Sequence, residues 1–167
     1  MQTETILQII HLLQTVQHPC RIAITGGRHV GKTTALMNIY NQAIANHLDI
    51  DGFIEKPLFD GTERTGYQFV YICAGETCAV AKRLYPHGYE FYEDAWQWAE
   101  QKIQASENHA ILLIDELGLL ESQNKGLMPA LRASLARHPR HIIAAVRNDV
   151  LEKIESILGA FDKIYII

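Results

Sequence analysis

The sequence predicts a three-layer α/β sandwich, a single domain over residues 1–167, built on a mostly parallel sheet with an antiparallel hairpin added. Three observations carry this. Apolar runs of strand length alternate with segments of helical periodicity along the chain. A strand, a glycine turn and a helix follow one another between residues 21 and 47. In the middle of the chain, two segments of β character flank a turn that contains Asp60-Gly61.

In order, residues 4–17 carry Ile6, Ile9, Ile10, Leu13 and Val16 at three- and four-residue steps, a helix closed by Pro19. Arg21 to Thr25 reads as a buried strand, Gly26-Gly27 as a turn, and Gly31 to His47 as a helix with Ala35, Leu36, Ile39, Ala43 and Ile44 on its apolar face. Phe53–Phe59 and Tyr67–Cys73 form the hairpin, followed by a short strand at Thr77–Ala81. A helix is expected from Glu90 to Ala105, and a strand covered on both faces at Ala110–Ile114. Helix at 124–137, strand at His141–Val146, helix at 149–158 and a last strand at Ile164–Ile167 complete the alternation.

Composition narrows the function. The 167 residues carry 15 basic and 19 acidic side chains, a net charge of −4, which argues against a dedicated nucleic-acid surface. Arg132, Arg137 and Arg140 cluster, but near a helix end they are read as solvated charges that complement the helix dipole. No stretch reaches the roughly 18 apolar residues of a membrane span, and the N-terminal segment lacks the basic and small-residue features of a signal peptide. Cys20, Cys73 and Cys78 have no C-x-x-C spacing and read as reduced thiols, so a cytoplasmic protein is expected. The eight histidines show no zinc-type spacing. Trp96 and Trp98, with Tyr89, Phe91 and Tyr92, are read as core packing in preference to a base-stacking surface.

The strongest chemical signal is Gly26-Gly27-Arg28-His29-Val30-Gly31-Lys32-Thr33-Thr34, which satisfies G-x-x-x-x-G-K-S/T. A strand running through this loop into a helix turns successive backbone N–H groups, and the positive end of the helix dipole, toward one spot suited to a polyphosphate. Lys32 is placed for the β- and γ-phosphates and Thr33 for the shell of Mg²⁺, while Thr34 supports the turn. A chance glycine turn before an ordinary helix is the competing reading. The strand and helix on either side weigh against it.

The second signal is Ile111-Leu112-Leu113-Ile114-Asp115-Glu116, an apolar strand ending in two carboxylates. In an open α/β sheet its carboxyl end emerges on the same edge as the phosphate loop. Asp115 is then placed to hold Mg²⁺ and Glu116 to polarise a water for in-line attack. A turn pair at a strand end is the alternative for the acids taken alone. Asp115-Glu116-Leu117-Gly118 also spells D-x-x-G, but Asn124-Lys125-Gly126 is followed by Leu127, so a guanine-reading N-K-x-D is missing. Arg147, just after the strand at 141–146, is the first candidate for an arginine at the transition state, with Arg64 behind it and Asn148 alongside.

Together these residues resemble the cancer-related nucleoside-triphosphatase family of P-loop ATPases with a RecA-like core. The resemblance covers most of residues 20–155: the loop ending in Gly31-Lys32-Thr33-Thr34, the Gly52-Phe53 strand, Arg64-Thr65-Gly66-Tyr67 at the start of the second hairpin strand, and Asp115-Glu116-Leu117-Gly118 followed by Glu121. It implies hydrolysis of several nucleoside triphosphates to diphosphate and phosphate with Mg²⁺ and modest base selectivity. Related loops read G-x-P-G-x-G-K-T, whereas Arg28 and His29 stand here for Pro and Gly. If that second position is left-handed, the β-carbon of His29 predicts a more open loop or weaker binding. Pro57 stands where relatives carry an acid, so no role transfers to the first hairpin strand.

The reading is therefore an Mg²⁺-dependent nucleoside-triphosphatase acting on ATP, with Lys32, Glu116 and Arg147 catalytic, residues 26–34 binding nucleotide, and Thr33 and Asp115 holding metal. The alternatives are a nucleotide or small-molecule kinase, against which the lack of an arginine-rich lid weighs, and a nucleotide-binding switch with little turnover.

Overall fold

The computed structural model describes all residues, 1–167. In chain order the elements are α1 (Thr3–Thr15), β1 (Arg21–Gly26), α2 (Lys32–Ala45), β2 (Ile50–Asp60), β3 (Glu63–Tyr71), β4 (Glu76–Arg83) and β5 (Tyr89–Phe91). There follow α3 (Glu93–Ala105), β6 (Ile111–Leu117), α4 (Met128–Arg137), β7 (His141–Arg147), α5 (Leu151–Leu158) and β8 (Lys163–Ile166). All eight strands form one sheet in the order β5-β4-β3-β2-β6-β7-β1-β8. β2, β6, β7, β1 and β8 pair in parallel, and β3, β4 and β5 extend the sheet antiparallel from β2.

The helices make the outer layers because alternate strand residues point to opposite faces. Ile22, Ile24, Ile111, Leu113 and Ile143 meet Ile9, Leu36 and Ile39 of α1 and α2 on one face. Leu112, Ile114, Ile142, Ala144 and Phe53 meet Ala99, Ile103, Leu131 and Ile154 of α3, α4 and α5 on the other. With both faces buried, β1, β6 and β7 read as unbroken apolar runs. No helix is long and apolar enough to cross a membrane.

The structure revises the start of β2 and of three helices, begins β3 at Glu63 and carries β6 on to Leu117. β2 begins at Ile50, not Phe53, because residues 50–53 pair in parallel with β6 before the strand continues antiparallel to β3. It is the joint between the two halves of the sheet, and it passes unusually close to β6. A Cβ added at Gly52, where φ is 153°, would lie 1.8 Å from the Leu113 carbonyl oxygen. The helix expected from Glu90 starts at Glu93, since Tyr89–Phe91 pairs with β4 as an edge strand.

The helix expected from residue 124 starts at Met128. Asn124 and Gly126 adopt left-handed φ of 57° and 59°, which ends the preceding single turn at Glu121–Gln123, and Pro129 falls in the first turn of α4. The helix expected from residue 149 starts at Leu151 after a single turn over Asn148–Val150. Arg140 also departs from its reading as a solvated charge. It is 5% exposed and donates to the Ser106 and Ile103 carbonyls at the C-terminal end of α3 and to Ser134 Oγ, so it acts on a helix end from inside the core.

Candidate functional site

Parallel strands β1, β6 and β7 end on one edge of the sheet, and a cavity of about 680 Å³ opens there. The phosphate-type loop follows β1. Gly31, at φ 99°, caps α2, whose first residues Lys32 and Thr33 face the cavity together with Arg28, His29 and Gly31. The Lys32 side chain is buried and turns back along the loop. Its Nζ donates to the Gly27 carbonyl at 2.7 Å and lies 3.4 Å from that of Gly26. His29 has φ 61°, so the position where the family resemblance leads one to expect glycine is left-handed in this chain, with a β-carbon on it. Val30 and Thr34 are exposed and do not line the cavity.

β6 delivers its two acids to opposite faces. Ile114 pairs with Ala144 and Leu117 with Val146, three steps on β6 against two on β7, so a bulge lies between them. The Asp115–Glu116 peptide is cis. Asp115 points to the α2 side, where it is 1% exposed; one carboxylate oxygen accepts from the Glu55 N–H at 3.4 Å, and Oδ1 has no partner. Burial pushes its pKa up to about 6, opposed by the neighbouring Thr33 hydroxyl and raised further by Glu116. Glu116 lines the cavity on the other face.

A buried carboxylate oxygen without a partner, beside a threonine hydroxyl, is a donor set that fits a hard divalent cation. The protein supplies two oxygens, which suits an ion that keeps waters and phosphate in its shell.

Arg147 lines the cavity at the end of β7 and is ion-paired with Asp149. Arg64 lines it from β3, while Asn148 is exposed away from it. Glu121 is buried, and its carboxylate accepts from the Gly118 N–H at 3.0 Å and the Leu127 N–H at 3.1 Å, pinning the loop after β6 at both ends.

Two features escaped the sequence reading. Glu55 on β2 lines the cavity, and burial followed by the nearby Glu116, Asp115 and Glu121 pushes its carboxyl pKa up to about 8, with Arg64 opposing. The signal was the strand period: Phe53, Glu55 and Pro57 share a face. The second is an aromatic wall. Trp96 and Trp98 both pack half-buried against the core, as expected, and Trp96 also lines the cavity with Tyr67, Phe69, Tyr89 and Phe91.

Comparisons with known proteins bear on the fold and the family. The sequence model of the NTPase family matches residues 21–163. The nucleoside-triphosphatase THEP1 of Saccharolobus solfataricus is 29% identical over 116 residues, a match that spans 66% of this chain and 66% of that protein. The solution structure of a human cancer-related nucleoside triphosphatase superposes with a TM-score of 0.67 and 19% identity, over 89% of this chain and 87% of that one. The crystal structure of THEP1 from the hyperthermophile Aquifex aeolicus gives 0.62 and 18%, over 88% of each chain. At these identities the two structures speak for the fold alone, and that fold is the three-layer P-loop sandwich. The family match extends from the first residue of β1 to the first residue of β8, and on that ground the chain belongs to the NTPase family.

Proposed function

We propose that the chain is an Mg²⁺-dependent nucleoside-triphosphatase that hydrolyses ATP, and other nucleoside triphosphates with little base selectivity, to diphosphate and phosphate. The observation that carries this reading is the meeting of three things on one edge. They are the N-terminus of α2 with buried Lys32, the unpartnered Asp115 oxygen beside Thr33, and Glu116 facing the same cavity. The loop N–H groups and the helix dipole hold the polyphosphate, and Lys32 neutralises its β- and γ-oxygens. Thr33 and Asp115 would hold Mg²⁺; the chemistry that ion supplies when bound is charge withdrawal from those same oxygens.

Glu116 accepts the proton of the attacking water. As the water oxygen bonds to the γ-phosphorus, the bond from phosphorus to the β,γ-bridging oxygen breaks and the diphosphate leaves. Arg147, steadied by Asp149, adds positive charge at the rim of the cavity.

A metal-dependent phosphate-release assay over a nucleotide panel tests this. Lys32→Ala is expected to lose nucleotide binding. Glu116→Gln is expected to keep binding and lose turnover by about 10²–10⁴-fold; unchanged turnover removes Glu116 from its role. Phosphate is expected to appear with no acceptor present, and strict dependence on an added acceptor would assign the chain to phosphoryl transfer instead. A switch with little turnover is the third reading, favoured by the left-handed His29 in the loop. Measurable affinity with negligible phosphate release would select it.

A further inference from the structure

The cavity does not end at Glu116. Strand order sets β6 between the phosphate loop's neighbour β7 and β2, and the cavity runs on past Glu55 to Arg64, Tyr67, Phe69, Tyr89, Phe91 and Trp96. Leu119, Leu120 and Leu127, from the loop that Glu121 pins, close the same cavity. A triphosphate held by Lys32, Thr33 and Asp115 directs its γ-phosphorus toward Asp115 and Glu116. The aromatic wall therefore lies beyond the γ-end, on the side from which an attacking group enters, and away from the nucleoside.

The wall offers ring faces, of which Trp96 and Phe91 are the most nearly parallel at 31°. Trp96 lies 5.9 Å from Phe69, edge to face, and 6.0 Å from Phe91 between ring centroids, and a second pair, Tyr67 and Tyr89, lies 5.1 Å apart; both groups line the cavity from β3, β5 and α3. Phe69 belongs to the core and Trp96 packs half-buried against it, but Phe91 remains 49% exposed, so the wall keeps a free aromatic face at Phe91 beside Trp96. At its outer end the Arg64 guanidinium sits 5.4 Å over the Tyr67 ring, donates to the Tyr67 hydroxyl at 2.9 Å, and takes part in none of the molecule's ion pairs. Its far side opens into a second cavity of about 490 Å³ that it shares with Tyr89, Arg83, His87 and the acid Glu63, and Arg83 is likewise free of ion pairs. An aromatic face beside an arginine that makes no ion pair matches an aromatic ring bearing an anionic group.

We propose that this wall is a second ligand subsite, which seats a planar, anionic small molecule on Trp96 and Phe91 with its charge at Arg64, while the phosphate loop holds a nucleoside triphosphate. The wall itself stands on geometry, and simultaneous occupancy rests on the nucleotide reading above. A molecule seated there covers the approach of water to the γ-phosphate past Glu116, so it slows hydrolysis without competing for the loop.

The test uses AMP as probe. Trp96 and Trp98 are the only tryptophans, so Trp98→Phe leaves Trp96 as a single reporter. With the phosphate loop saturated by Mg²⁺ and a non-hydrolysable ATP analogue, added AMP is expected to quench Trp96 emission. Equilibrium dialysis of labelled AMP against the unmodified protein gives the same answer if the Trp98 variant does not fold. Arg64→Ala is expected to weaken AMP binding by about tenfold or more. In the phosphate-release assay AMP is expected to lower kcat and leave KM for the triphosphate unchanged.

Lys32→Ala separates the two readings: it is expected to lose the analogue and keep AMP. Loss of both ligands in that variant would overturn the subsite. Displacement of AMP by the analogue, an unchanged affinity in Arg64→Ala, or binding without any change in kcat would overturn it as well. AMP binding at the wall in a protein that never binds the analogue would instead sink the triphosphatase reading and leave the wall standing.

Discussion

Glu55 shows how a single carboxyl can carry the cost of a site. Burial and three neighbouring acids raise its pKa from 4.5 to about 8 in the folded chain. Between those values the folded protein holds a proton that the unfolded chain releases, so its contribution makes stability fall as pH rises through that window. Below about 4.5 both states are protonated and the cost vanishes. In metal- and nucleotide-free protein, Glu55→Gln is therefore expected to be stabilising by roughly 1–3 kcal/mol near the upper end of the window and close to neutral near the lower end. Urea unfolding at the two pH values measures it, and equal effects at both would contradict the assignment. Asp115, with its pKa raised to about 6, leads to a second expectation. Metal must displace a proton from it at low pH, so the affinity for Mg²⁺-nucleotide is expected to fall as pH drops below about 6. Titration calorimetry across that range reads it.

Among the elements, β2 and β6 decide what the site contains. They approach so closely at Gly52 and Leu113 that the hydrogen bond from the Glu55 N–H to the Asp115 carboxylate follows from their register. Gly52→Ala would drive a β-carbon to 1.8 Å from the Leu113 carbonyl and force the strands apart. A loss of about 3 kcal/mol or more is expected. Gly75→Ala is the control: φ is +67° there but nothing lies within 4 Å of an added β-carbon, and about 1 kcal/mol is expected. Equal losses in urea titrations of the two variants would deny the close approach. The bulge in β6 matters for the same reason, because it leaves Leu117 on the face of Ile114 after Asp115 and Glu116 have been sent to opposite sides.

For the molecule as a whole, what could be read in the sequence follows from how local each cause is. β1, β6 and β7 are buried on both faces and announce themselves as apolar runs, and the loop from Gly26 to Thr34 lies between a strand and a helix that each carry their own pattern. β5 is three residues long and is a strand only because β4 lies beside it, so its segment reads as the start of α3. The strand period puts Glu55 on the face of Phe53, but that this face, and one side of half-buried Trp96, meets the cavity is decided by partners across the sheet. Arg140 looked solvated because the carbonyls it reaches, at Ile103 and Ser106, lie more than thirty residues away.

The claim on which the rest depends is that Asp115 and Lys32 serve one metal-bound triphosphate. The direct measurement is the gain in unfolding free energy on adding a non-hydrolysable ATP analogue, with and without Mg²⁺, in the unmodified protein and in Asp115→Asn. The expected result is a metal-dependent gain in the unmodified protein, about 2.7 kcal/mol at a hundredfold excess over Kd, and no metal dependence in the variant. An Asp115→Asn protein that keeps the whole metal-dependent gain would contradict the account.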